Sequence, residues 1–237
     1  MLLENTGWGK SNFQSITSAL KDNAIEGVNV TWFSWGVNDA QARLLLESIK
    51  KESVDCVFMV SNAREGALIV KAVSDLDLGI TIYSHWGITG GKFAQTIPYE
   101  LRNKANLQFI QSCFNFYSSA ESTLSKNVFN EAKSMFPNQF TSKNIKAPAG
   151  FVHGYDLGKV FITAASNVTF TDNIVDNRMA MKKALESLSQ PVEGLIKTYQ
   201  KPFSEFSIDN QDAHEALGES DLCMAVYDKM NAVNLIE

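Results

Sequence analysis

No apolar run in these 237 residues approaches the ~20 that a bilayer-spanning helix needs, so nothing reads as membrane-spanning. Lysine and arginine never stand more than two together and the net charge is -5, which argues against nucleic acid as a partner. The three histidines, His85, His153 and His214, have no metal-ligand spacing, so no metal is expected. The three cysteines, Cys56, Cys113 and Cys223, lie in scattered apolar runs. They read as buried free thiols rather than a metal motif, a disulfide or a nucleophile. No Gly-x-Ser-x-Gly elbow is present, and Asp209, Asp212 and Glu215 sit in a polar stretch that reads as solvated loop. Catalysis is therefore not expected, and no cofactor is implied. The sequons Asn29-Val30-Thr31 and Asn167-Val168-Thr169 are read as chance matches.

What is present is a strand–helix rhythm. Hydrophobic residues make up 45% and charged residues 20%, ordinary values for a folded domain or two. Met1–Glu4, Val28–Phe33, Val54–Val60 and Ile80–Tyr83 read as strands, the third buried because it is almost continuously apolar. Between them, Ser11–Asn23, a helix capped by Asn38 or Asp39, and Glu65–Asp77 carry apolar residues at helical spacing. This alternation predicts right-handed βαβ units and a parallel sheet flanked by helices.

Beyond about residue 100 the rhythm breaks. Leu107–Phe116 reads as a long strand, Lys126–Met135 as a helix and Phe140–Pro148 as a polar loop. Phe151–Asn167 is apolar on all sides and is expected to be buried against something large. Asn177–Leu188 is amphipathic, Leu195–Ile208 is strand-like with a turn, and Leu222–Tyr227 is a last strand. These helices outnumber the strands available to cover them.

The opening, Leu2-Leu3-Glu4-Asn5-Thr6-Gly7-Trp8-Gly9-Lys10-Ser11, runs a strand into a two-glycine turn. It is not a phosphate-binding loop, because the required first glycine is Glu4, and the third glycine of a dinucleotide fingerprint would fall at Asn12. Trp8 between glycines suits a wall that packs on an organic ligand. Ser61-Asn62-Ala63-Arg64 and Ser84-His85-Trp86-Gly87 follow the next buried strands on the same sheet edge. Each alone reads as a capped βα loop; together they outline one side of a cleft.

The order of these elements resembles the type I periplasmic solute-binding proteins, and within them the extracellular ligand-binding receptor family that includes leucine/isoleucine/valine-binding proteins. Three stretches carry the resemblance: Leu2 to Gly9, then Leu45-Leu46-Glu47-Ser48-Ile49-Lys50-Lys51-Glu52-Ser53-Val54-Asp55-Cys56-Val57-Phe58, then Ala149-Gly150-Phe151-Val152-His153-Gly154-Tyr155-Asp156. It implies an α/β fold of two lobes, with residues 1–110 as the second lobe. Residues 111–220 would be a returning part of an incomplete first lobe, and 221–237 a final crossing strand and tail. The opening of that first lobe is expected to lie outside this chain, as is a signal peptide, and the chain alone is expected to bind ligand weakly.

By the same resemblance the function is binding of a small polar or amphipathic metabolite between hinged lobes, for delivery to the membrane permease of an ABC importer. The setting would be periplasmic or extracellular. The alternative is a ligand-sensing receptor domain of a signalling protein. The ligand-binding residues implied are Trp8, Ser61, Asn62, Ala63, His85, Trp86 and Tyr155, with His153 a weaker candidate. The acidic residue with which amino-acid binders hold an ammonium is replaced by His85 and Trp86. An aromatic or amphipathic solute, or one bearing a carboxylate, therefore fits as well as a branched-chain amino acid.

Overall fold

The computed structural model describes residues 1–117, 122–141, 144–145 and 148–236. The chain divides into two compact units. Unit 1 comprises Met1–Gln111, Lys133–Ala147 and Met224–Glu237; unit 2 comprises Ser112–Ala132 and Pro148–Cys223.

Unit 1 begins with strand β1 (Leu2–Glu4) and helix α1 (Gly7–Asp22). The helix starts four residues before the expected Ser11, because the Thr6 hydroxyl accepts from the Gly9 N–H at 3.1 Å and caps it. Strand β2 (Thr31–Phe33) leads to α2 (Asp39–Lys51), where Asn38 and Gln41 form a reciprocal capping box. Then come β3 (Cys56–Val60), α3 (Ala63–Asp75), β4 (Thr81–Ser84), a 3-10 turn over Trp86–Thr89, α4 (Phe93–Thr96), α5 (Tyr99–Lys104) and β5 (Leu107–Ser112). The expected strand Leu107–Phe116 thus stops at Ser112.

Helix α6 (Thr123–Met135) precedes the short strands β6 (Phe140–Thr141) and β7 (Asn144–Ile145), which pair antiparallel where a loop was expected. Residues 142–143 and 146–147 of that stretch lie outside the described residues. Unit 2 holds α7 (Pro148–Ala165), α8 (Ile174–Glu186), β8 (Val192–Glu193) and β9 (Thr198–Tyr199). Finally β10 (Leu222–Tyr227) returns to unit 1 and β11 (Val233–Leu235) folds back on it.

Among the described residues the main sheet has seven strands in the order β11-β10-β5-β4-β3-β1-β2. The pairs among β1 to β5 are parallel, and β10 and β11 pair antiparallel. Strand parity sorts the side chains. Leu2, Phe33, Val57, Met59, Ile82, Phe109 and Tyr227 enter one continuous core with the apolar faces of α2, α3 and α4. Buried Arg102 ties α5 to the β10–β11 turn, donating to the carbonyls of Ala94, Ile97 and Asp228 and to Asn231 Oδ1 at 2.6–3.1 Å. On the other face α1 packs over β1 and β2 through Phe13 and Trp32. Phe58, expected inside a fully buried strand, is 41% exposed beside Tyr83.

Unit 2 is held differently. Val160, Ala164, Met181, Leu188, Val192 and Tyr199 form its apolar cluster, and Phe116 packs near Phe129 and Phe151. Its tightest polar centre is Asp156, fully buried, which accepts from Leu195 N–H, Ile196 N–H and the Tyr199 hydroxyl at 2.6–3.0 Å. The chain near Asp156 therefore spends its backbone donors on a carboxylate rather than a sheet. Of the expected strand Leu195–Ile208, only Thr198–Tyr199 pairs as a strand, with Val192–Glu193.

The cysteines and helix α7 depart from expectation. Cys113 and Cys223 are joined in a disulfide with Cα atoms 5.0 Å apart; Cys56 remains a free thiol. The Cys113 N–H donates to the Asp221 carbonyl at 2.8 Å, which brings together two cysteines 110 residues apart in sequence. Helix α7 is not enclosed on all sides. Val152, Asp156, Val160 and Ala164 form its buried stripe, while Leu157, Phe161 and Ile162 face outward.

Candidate functional site

The parallel strands of unit 1 run β2-β1-β3-β4-β5, so chain direction across the sheet reverses between β1 and β3. In an open α/β sheet the crevice at the carboxyl ends of such strands is where loops diverge and ligands settle. The turns after β1, β3 and β4 meet there.

Trp8 sits in the first turn of α1, half-buried. Its ring lies on the backbone of Gly87: a Cβ there would come 2.6 Å from Trp8 Cη2 and 2.7 Å from the Ser61 carbonyl oxygen. Only glycine permits this three-way contact between the turns. Gly9 is equally constrained, since a Cβ would fall 1.9 Å from the Glu4 carbonyl oxygen. The small residues of these turns thus let aromatic rings and backbone close up.

His85 occupies the centre of the aromatic group. Its ring centroid is 4.9 Å from that of Trp8, edge to face, and 4.5 Å from that of Trp86. His85 Nδ1 accepts from the Gly87 N–H at 3.3 Å, which puts the ring proton of the neutral form on Nε2. Burial pushes its pKa down to about 4, so the ring stays uncharged at neutral pH. Ser61 is fully buried and its hydroxyl donates to the Asn62 carbonyl at 3.0 Å; Ser84 does the same to the His85 carbonyl. These serines shape the turns from below. Ala63 opens α3 and packs toward Gly91.

Asn62 is held by the last residue of β1. Glu4, fully buried, accepts the Asn62 N–H and its side-chain amide, each at 2.9 Å. Asn62 therefore gives α3 no side-chain cap. Glu65, also buried, accepts from Arg64 at 2.8 Å and from the Gly36 N–H at 3.2 Å, tying the β2–α2 loop to the same helix end. Trp35 in that loop is 75% exposed. A lone acid at the end of an apolar strand was the signal for Glu4, and an acid on the apolar face of α3 was the signal for Glu65.

Six expected residues, Trp8, Ser61, Asn62, Ala63, His85 and Trp86, thus share the edge of unit 1. Tyr155 lies on α7 in unit 2, half-buried, where burial raises the pKa of its hydroxyl. His153 lies on the same helix and burial lowers its pKa. Among the described residues no cluster of His, Cys, Asp or Glu could hold a metal ion, and no helix is long and apolar enough to cross a membrane. The edge thus brings together the Trp8, His85 and Trp86 rings and leaves the His85 ring proton on Nε2.

No family model and no curated protein matches this sequence. Solved structures do match. A type 1 periplasmic binding protein from Bordetella pertussis superposes with a TM-score of 0.73 at 15% identity, over 99% of this chain and 59% of its own. A possible leucine/isoleucine/valine-binding protein from Rhodopirellula baltica gives 0.71 at 12% identity, over 100% and 58%. An ABC-transporter solute-binding protein from Rhodopseudomonas palustris, in complex with benzoate, gives 0.69 at 13% identity, over 99% and 56%. The chain therefore spans less than two thirds of the length of these structures. Its seven-stranded, mostly parallel sheet with flanking helices has the fold of the type 1 periplasmic binding proteins.

Proposed function

We propose that this chain serves in binding a small polar or amphipathic metabolite, aromatic or amino-acid-like, for delivery to the permease of an ABC importer. The observation that carries the reading is the packed group Trp8–His85–Trp86 at the reversal point of the sheet, on the turns where an open α/β sheet holds ligands. Likeness in fold to solute-binding proteins, one of them holding benzoate, supports it. The Cys113–Cys223 disulfide supports a periplasmic or extracellular setting, since disulfides persist in oxidising compartments. In this reading Trp8, His85 and Trp86 contact the solute directly. Ser61, Asn62 and Ala63 contribute the adjoining turn, and Tyr155 is a candidate contact on unit 2 considered by itself.

A metabolite library screened by ligand-observed NMR tests it. Binders should lose their saturation transfer when Trp8→Ala removes the ring. Binders equally retained by Trp8→Ala, or none at all, would refute the assignment.

A further inference from the structure

The start of α3, reached through the Ser61–Asn62 turn, carries an unusual charge arrangement. A helix N-terminus ordinarily favours an anion, through free N–H groups and the helix dipole. Here two carboxylates of the chain itself already occupy that position. Glu4, 0% exposed, binds the N-cap residue Asn62 through both oxygens, and Glu65, 1% exposed, is the third residue of the helix. Among the described residues, the side-chain cation bonded to them is Arg64, held to Glu65 Oε1 at 2.8 Å, with 66% of its side chain exposed. Lys10 on the first turns of α1 is also exposed. Water and salt screen exposed cations strongly, whereas buried carboxylates act through a medium of low dielectric. Ser61, whose carbonyl lies beside the Trp8 ring at Gly87, is the residue next to Asn62, so Glu4 holds the same turn that backs the wall.

We propose that Glu4 and Glu65 are specificity-determining residues that bar an anionic group from the Trp8–His85–Trp86 wall, so that this edge takes a planar group carrying no negative charge. His85 fits this role as a neutral ring whose Nε2–H can donate. A carboxylate-bearing solute would turn its ring, not its acid, toward unit 1. The inference rests on the solute-binding reading only for its biological meaning; the charge claim stands by itself.

Two measurements test it. The first uses quenching of the Trp8 and Trp86 fluorescence in a Trp32→Phe, Trp35→Phe background, by caesium and by iodide, each normalised to free tryptophan amide. Caesium should be the better quencher by roughly threefold, and Glu65→Gln, whose amide oxygen can still accept from Arg64 and Gly36, should bring the two close to parity. Iodide equal to or better than caesium in the Glu65-containing protein would overturn the proposal, as would a ratio unmoved by both Glu65→Gln and Glu4→Gln in variants with unchanged far-UV circular dichroism. The second titrates three rings of one shape, benzamidine, benzamide and benzoate. The first two should bind roughly tenfold tighter than benzoate. Benzoate binding tightest of the three would contradict the proposal. No binding by any of the rings together with a caesium preference would leave the charge claim supported and count against the solute reading of this edge.

Discussion

Unit 1 and unit 2 are stabilised by different physics. In unit 1 one face of a seven-stranded sheet closes against α2, α3 and α4, and large residues such as Phe93, Phe109, Leu46 and Ile82 are wholly buried. In unit 2 a smaller apolar cluster is supplemented by cross-links: the Cys113–Cys223 disulfide, the Asp156 network, and the Lys197–Asp221 ion pair. Apolar side chains of α7 and α8, including Phe161, Ile162, Ile174 and Met179, face outward there. The lesson is that a segment with little sheet of its own can keep its shape through specific bonds, at the cost of depending on them.

The sharpest way to break this contrast is to attack each unit by its own mechanism. Phe109→Ala empties the centre of the unit 1 core and should cost about 3–5 kcal/mol, read as a lower urea midpoint. Protection against hydrogen exchange should fall across β1 to β5 while α7 and α8 hold. Replacing Cys113 and Cys223 together by serine should do the converse. A link closing 110 residues is worth about 2–5 kcal/mol, and its loss should lower protection around α7, α8 and β9 while leaving β1 to β4 unchanged. Equal loss in both units from either variant would dissolve the distinction.

A smaller effect comes from pH. Burial places the His85 pKa near 4, below the ordinary 6.5 of the unfolded chain. Between those values the unfolded chain binds a proton that the folded ring refuses. Stability of unit 1 is therefore complete above about pH 6.5 and declines as pH falls toward 4, by about 2–3 kcal/mol at most. His153 in unit 2 has the same sign. Melting temperature against pH should flatten in His85→Gln, and an unchanged slope would place the acid sensitivity elsewhere.

The legible parts of the fold were those encoded by local periodicity. Strand β10 coincides with the expected Leu222–Tyr227, and β1 to β4 and α1 to α3 lie within a few residues of their expected places. Parallel strands buried on a helix-covered face announce themselves as apolar runs, and capping residues such as Asn38 mark helix starts. Illegible were the features made by residues distant in sequence. Nothing local pairs Cys113 with Cys223, or sends Glu4 to Asn62 across the sheet. Helix α7 misled because average apolarity says how much surface could be buried, not which stripe finds a partner. At the candidate site, local turn chemistry picked out Trp8, His85 and Trp86, whereas the bonds of buried Glu4 and Glu65 to Asn62 and Gly36 needed the topology.

The central claim is that the Trp8–His85–Trp86 edge is a ligand wall, and two-dimensional NMR of the indole N–H groups tests it most directly. Titration with benzamide should shift the Trp8 and Trp86 signals together and leave Trp32, packed under α1, unmoved. A titration that moves Trp32 alone, or leaves all four indole signals where they were, would contradict the account.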